Sequence, residues 1–191
     1  MLLLDVLGTL VHEPFYVELP AFFGLTVDEL IEAKDPTVWL EYELGRIEEE
    51  ELFRRFFRDG REYDHRAMKA CMVDAFHWLE GMEGLVAALH AAGHEMHAIS
   101  NYSEWYRHID ERLALSRFLT MDFISCNLGV RKPDPGAWRI PLERLDVPPE
   151  RCLFVDDREV NCEAARELGI ETIHFTGAEQ LRRELTGRGL L

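Results

Sequence analysis

Residues 152–174 read CLFVDDREVNCEAARELGIETIH, and the fold is decided there. Cys152-Leu-Phe-Val155 is an unbroken apolar run, the pattern of a strand covered on both faces. Glu159 to Leu168 has helical spacing and stops at Gly169, a residue suited to the left-handed turn that closes a helix. Glu171 to His174 reads as a second strand. A strand, a helix and a strand in so short a span predict a parallel pair joined by a crossover helix.

The same alternation extends upstream. Leu85, Val86 and Leu89 mark a helix that starts near Met82 and ends at Gly93. Glu95 to Ser100 reads as a strand, Glu104 to Leu113 as a helix, and Met121 to Ser125 as another strand. Asp134-Pro135 is a helix start, a cap followed by proline at the first helical position. Thr176 and Glu179 are spaced as a capping box for a last helix. MLLLDV is the first strand, punctuated at once by Gly8-Thr9. Between Glu13 and Glu80 the texture changes to charges and aromatics at helical spacing. Thr26 and Glu29 form one capping box, Leu52, Phe53, Phe56 and Phe57 an apolar stripe, and Glu50–Arg54 and Glu51–Arg55 spaced pairs behind it. These patterns predict an α/β fold: a parallel sheet with helices on both faces and an all-helical block inserted after the first strand.

Composition narrows the function. The 191 residues suffice for one domain with a sizeable insertion. Against 21 basic residues stand 36 acidic ones, a net charge of −15, which repels nucleic-acid phosphates and anionic membrane surfaces. No apolar run approaches the ~20 residues of a membrane span. The start carries no basic leader, and Cys71, Cys126, Cys152 and Cys162 form no Cys-x-x-Cys pair. The expectation is a cytoplasmic protein with reduced, mostly buried thiols.

Ligands of open parallel sheets bind beyond the carboxyl ends of the strands. The residues placed there are Asp5 to Thr9, Ser100-Asn101, Lys132 and Asp156-Asp157. Three carboxylates at one rim repel one another unless a hard cation sits among them, most simply Mg²⁺. Mg²⁺ and Lys132 would attract a phosphate, with Ser100, Asn101 and the amides near Gly8 and Thr9 contacting its oxygens. Asp5 could then attack phosphorus to give an aspartyl-phosphate that water hydrolyses.

Four motifs in this order, LLLDVLGTL (2–10), AISN (98–101), GVRKPDP (129–135) and LFVDDREVNCEAARELGI (153–170), resemble the haloacid dehalogenase (HAD) superfamily. The resemblance implies a Rossmann-like α/β core of residues 1–12 and 81–191 and a helical cap of residues 13–80. It implies Asp5 as nucleophile, Ser100 as phosphate ligand and Lys132 as the group that holds phosphate and nucleophile. It further implies a Mg²⁺ site of Asp5, the Leu7 carbonyl, Asp156 and Asp157, with Asn161 in support. The substrate would be a small-molecule phosphate ester, and Tyr102 and Trp105 fall near the mouth of the site.

One departure matters: most HAD phosphatases carry a general acid/base aspartate two residues after the nucleophile, where this chain has Leu7. Either the leaving group needs little help, or another residue such as His12 or Glu13 stands in, or the protein binds a phosphorylated ligand with weak or no turnover. The dehalogenase branch has tyrosine at that position and lacks the aspartate pair. The stretches EPFYVELPAFFG (13–24), VWLEYELGRIEEEELFRRFFRDGR (38–61), CMVDAFHWLEGM (71–82) and SNYSEWY (100–106) are similar to the plant flavin mononucleotide (FMN) phosphatases, which also lack that aspartate. That similarity makes FMN the expected substrate.

Overall fold

A computed structural model describes residues 1–191. Strands β1 (Leu2–Leu4), β2 (Met96–Ser100), β3 (Thr120–Ile124), β4 (Leu153–Asp156) and β5 (Glu171–His174) form one parallel sheet in the order β3-β2-β1-β4-β5. The triple leucine of β1 explains its central place. Leu2 and Leu4 face one apolar cluster and Leu3 the other, so both sheet faces are covered. Leu2 pairs with Met96 on one side and Leu153 on the other, which brings the ends of β1, β2 and β4 level.

On one face, α6 (Met82–Ala91) and α11 (Ala178–Gly187) bring Leu85, Val86, Leu89, Leu181 and Leu185 onto Leu2, Leu4 and Val155. On the other, α9 (Gly136–Leu145) and α10 (Glu159–Glu167) bring Trp138, Leu142 and Ala165 onto Leu3, Ile99 and Phe154. Each fully buried leucine of this kind contributes about 1.5–3 kcal/mol of transfer free energy. Helix α7 (Tyr106–Leu113) follows β2, and the short α8 (Ser125–Leu128) follows β3.

Between β1 and α6 the chain is helical: a 3-10 turn (Pro14–Tyr16), then α1 (Glu18–Phe23), α2 (Val27–Ala33), α3 (Val38–Glu43), α4 (Glu49–Arg55) and α5 (His65–Ala75). Phe23, Phe56, Phe57 and Tyr63 pack ring against ring in its interior. The exit and return segments run antiparallel. Leu79 N donates to Leu10 O and His12 N to His77 O, both at 2.9 Å. The block docks on the sheet's carboxyl edge, where Ser125 Oγ donates to Glu43 O at 2.6 Å.

Local details differ from the sequence patterns. The Thr26–Glu29 capping box forms. The Thr176–Glu179 box does not, because α11 starts only at Ala178, after Gly177. Pro135, not Asp134, is the cap residue of α9, and Asp134 Oδ1 accepts from Gly136 N at 2.7 Å from one position further out. Arg54 reaches Glu51 one residue closer than the expected Glu50, while Arg55 keeps the expected pair with Glu51 at 3.7 Å and adds a closer one with Glu41 at 2.8 Å across the α3–α4 contact. All four cysteines are free, Cys152 and Cys162 buried and the other two half-buried. No helix is long and apolar enough to cross a membrane.

Gly45 joins the helical block to the core. Its φ is +65°, and a Cβ there would lie 2.5 Å from the Cys126 carbonyl oxygen. Left-handed strain plus that clash predict that Gly45→Ala loses about 1–3 kcal/mol, read as a lower urea midpoint with an unchanged slope.

Candidate active site

The carboxyl ends of β1, β4 and β2 place Asp5, Asp156-Asp157 and Ser100 side by side. Lys132 enters from the loop after α8. Its Nζ donates to Asp5 Oδ1 and to Asp156 Oδ2, each at 2.6 Å, with all three side chains buried. Burial opposes the ammonium, but the two carboxylates outweigh it and hold Lys132 above its ordinary pKa. Burial likewise pushes Asp5 above the usual carboxylate range against the pull of Lys132, and the charges of Asp156 and Asp157 add to the rise. Asp157 is raised by burial first and by Asp156 next.

Each of these groups is held by its neighbours. Thr9 Oγ1 donates to Asp5 Oδ2 at 3.0 Å and accepts from Asp157 N at 3.1 Å, tying the β1 turn to the β4 turn. Asp156 accepts from Arg158 N at 2.8 Å and from Asn161 Nδ2 at 2.9 and 3.1 Å, so both its oxygens are engaged. Gly8, with φ +84°, lets the turn pass Asp157 closely. A Cβ there would stand 2.7 Å from Asp157 Oδ2.

The three carboxylates offer oxygens that all lie within 4.8 Å of one another. The Leu7 carbonyl accepts none of the backbone hydrogen bonds of its turn. Asn161 Oδ1 is buried without a partner. Oxygen donors gathered under a net negative charge suit a hard divalent cation, and water on that cation would satisfy Asn161 Oδ1.

A cavity of about 500 Å³ opens above this cluster. Its floor includes Asp5, Leu7, Gly8, Ser100, Lys132 and Asp157; its walls include Phe15, Tyr16, Trp39 and Leu40 from the helical block. Asn101, placed by sequence among the phosphate contacts, lines the cavity and also holds the Lys132 backbone. Its Oδ1 accepts from Lys132 N at 2.8 Å and its Nδ2 donates to Lys132 O at 2.9 Å, leaving a single amide hydrogen for a ligand. Tyr102 reaches the cavity wall with its hydroxyl buried and unpartnered. Trp105 does not line the cavity. It is 1% exposed, and its ring sits among Trp39, Tyr42 and Phe53 while its Nε1 donates to Glu49. The apolar interior of the block outcompetes the cavity for an indole whose N–H finds a carboxylate there.

Comparison with known proteins agrees with this geometry. The sequence profile of the haloacid dehalogenase-like hydrolases matches residues 2–169. This chain belongs to that family. It is 43% identical over 190 residues to flavin mononucleotide hydrolase 1 of Arabidopsis thaliana, a protein named as chloroplastic, covering 100% of this chain and 78% of the plant protein. A HAD-like family hydrolase from Porphyromonas gingivalis has the same fold, with a TM-score of 0.76 at 22% identity over 98% of this chain and 96% of that one. So does a HAD family enzyme from Bacteroides thetaiotaomicron, solved with magnesium and inorganic phosphate, with a TM-score of 0.69 at 21% identity over 92% and 93%.

Several cavity residues went unnamed at the level of motif. Lys34, Glu43 and Arg131 have no strand-end position to betray them; only the docking of the helical block brings the first two to the site. Arg54, Arg55, Arg58 and Arg61 stay out of it. They are occupied by Glu51, Glu41, the Lys34 carbonyl and Asp59.

Lys132 is the one side chain that ion-pairs with both Asp5 and Asp156. Replacing it leaves buried carboxylates without their counter-charge, so Lys132→Met is expected to lose about 3–5 kcal/mol in urea unfolding with EDTA present.

Proposed function

We propose that this hydrolase is a Mg²⁺-dependent phosphatase of a small phosphomonoester, working through an aspartyl-phosphate on Asp5, and that FMN is its substrate. The observation that carries the reading is the meeting of Asp5, Lys132, Ser100 and the Asp156-Asp157 pair on one cavity floor. Asp5, the Leu7 carbonyl, Asp156 and Asp157 would hold the cation, with Asn161 in support. Bound there, Mg²⁺ supplies charge neutralisation and Lewis-acid polarisation of the phosphoryl oxygens.

The protein's own groups do the rest. Lys132 opposes the burial-driven rise at Asp5 and steers the phosphoryl group toward it. Thr9 and Lys132 each hold one Asp5 oxygen and so fix the orientation of the nucleophile. Ser100, at the end of β2, donates to a phosphoryl oxygen. Asp5 Oδ attacks phosphorus, the ester P–O bond breaks, and water later releases inorganic phosphate from the acyl phosphate.

The identity with the plant hydrolase supports FMN, and so does the cavity wall. Phe15, Tyr16, Trp39 and Leu40 present flat apolar surface above the phosphate end, suited to an aromatic ring system. Residues 13–80 then act as a substrate-selecting cap.

Phosphate release from FMN, sugar phosphates and 4-nitrophenyl phosphate, with Mg²⁺ and with EDTA, tests the reading. Mg²⁺-dependent release favouring FMN is expected, with Asp5→Asn folded but inactive. Undiminished hydrolysis by Asp5→Asn would sink it, and no release from any ester would favour a phosphate-binding role. Tyr16, 59% exposed at the cavity, offers a second test. Tyr16→Ala is expected to raise KM for FMN about 2- to 12-fold, from the loss of about 0.5–1.5 kcal/mol of stacking, with KM for 4-nitrophenyl phosphate nearly unchanged.

A further inference from the structure

Hydrolysis of an alkyl phosphate has a proton to place twice. The departing alkoxide needs one when the ester bond breaks, and the water that opens the acyl phosphate must lose one. Help of this kind is typically worth about 10²–10⁴-fold in rate. Leu7 lines the cavity beside Asp5 and carries no proton. Most other candidates at the site are already committed. Lys132 is bonded to two carboxylates. Glu43 accepts from Trp39 Nε1 at 2.8 Å and pairs with Arg131 at 3.3 Å. Burial holds the Tyr102 hydroxyl far above its ordinary pKa, so it keeps its proton. His12 lies off the cavity, its Nε2 on Glu18 and its ring stacked on His77 at 4.7 Å.

Glu13 differs from all of these. It lines the same cavity as Asp5, Leu7 and Asp157. Its Oε1 accepts from Phe15 N at 3.0 Å, which fixes the side chain at the head of the 3-10 turn. Its Oε2 has no hydrogen-bond partner, and no cation pairs with it. The backbone of this segment is anchored one residue earlier, where His12 N donates to His77 O.

We propose that Glu13 is the proton-transfer residue of this site, giving a proton to the leaving alcohol and taking one from the attacking water. The proposal rests on the phosphatase reading. In the first step the Asp5 O–P bond forms and the ester P–O bond breaks, and the alkoxide oxygen takes the proton from the Glu13 carboxyl. In the second, a water oxygen bonds to phosphorus and its proton passes to the Glu13 carboxylate. The bond between phosphorus and Asp5 breaks, and both side chains return to their starting states. The environment suits the part. Burial pushes the Glu13 carboxyl up to about 7 against the Phe15 N–H, and the charges of Glu43, Asp5 and Asp157 reinforce the rise. A group poised near neutrality serves as both acid and base.

The test is rapid-quench kinetics of Glu13→Gln with Mg²⁺, on FMN and on 4-nitrophenyl phosphate. Glutamine keeps an oxygen for Phe15 N, so the turn is retained. First-turnover riboflavin release is expected to fall about 10²–10⁴-fold. First-turnover nitrophenolate release should stay within a few-fold of wild type, because that leaving group departs as a stable anion. Phosphorylated enzyme should then accumulate on the nitrophenyl ester, since the attacking water has lost its base. An equal loss with both esters, or undiminished riboflavin release, would overturn the assignment while leaving the phosphatase reading intact. A wild-type enzyme that cleaves neither ester would overturn both. If Glu13→Gln does not fold, Glu13→Asp, with its carboxyl drawn back by one methylene, must still lose riboflavin release more than nitrophenolate release; equal losses would overturn the assignment.

Discussion

Three carboxyl groups held around one buried ammonium are the constraint on which the rest of the structure depends. Asp5, Asp156 and Asp157 come from two parallel strands that the apolar runs of β1 and β4 force to lie adjacent. Lys132 answers only part of their charge, and it does so from inside the protein, where desolvation makes any unmatched charge costly. The surrounding hydrogen bonds follow from that pressure. Thr9 serves Asp5 and the Asp157 backbone together, Asn161 and Arg158 N serve Asp156, and Asn101 grips the Lys132 backbone at both ends. What is left over is a net negative site with oxygen donors facing a cavity, a standing invitation to a divalent cation and, through it, to a phosphate.

The helical block answers a different requirement. The sheet edge can hold charge, but it is too open to select a substrate. The block supplies the apolar wall and does so from an aromatic interior that has its own packing logic. Trp105 shows how the two parts are joined. It leaves the core just after β2 and buries itself among Trp39, Tyr42 and Phe53. A residue that looks, by position, like a substrate contact is a fastening between core and block. Gly45 plays the same part in backbone form against Cys126.

How far the sequence could be read follows from these two regimes. The centre of the sheet was legible because β1, β2 and β4 are short, fully buried runs, and β3 and β5 followed from the alternation of strand and helix. The three carboxylates were legible because each ends or directly follows a strand, where backbone geometry fixes its position, whereas Lys132 was legible only through its motif. Trp105 falls where side-chain direction matters more than backbone position, and direction is set by packing that spacing does not encode. Lys34 and Glu43 were illegible for a stronger reason. They reach the site only through the packing of the inserted helical block on the core, and nothing local to their helices distinguishes them from solvated charges.

The placement of Glu13 bears on why Leu7 is tolerated. A carboxylate at position 7 would add a fourth negative charge to a cluster whose one ammonium is already outnumbered, and a leucine adds none. The proton carrier then has to come from elsewhere, and a side chain at the head of the inserted block is far enough from Lys132 to escape being locked into an ion pair. Such an arrangement ties proton transfer to the docking of the block. The charged floor belongs to the core, while the group that must be protonated for the leaving alcohol travels with the wall that recognises it. A substrate whose leaving group fits the wall poorly would have its phosphate bound but its leaving oxygen away from Glu13, so selectivity would appear in kcat as well as in KM.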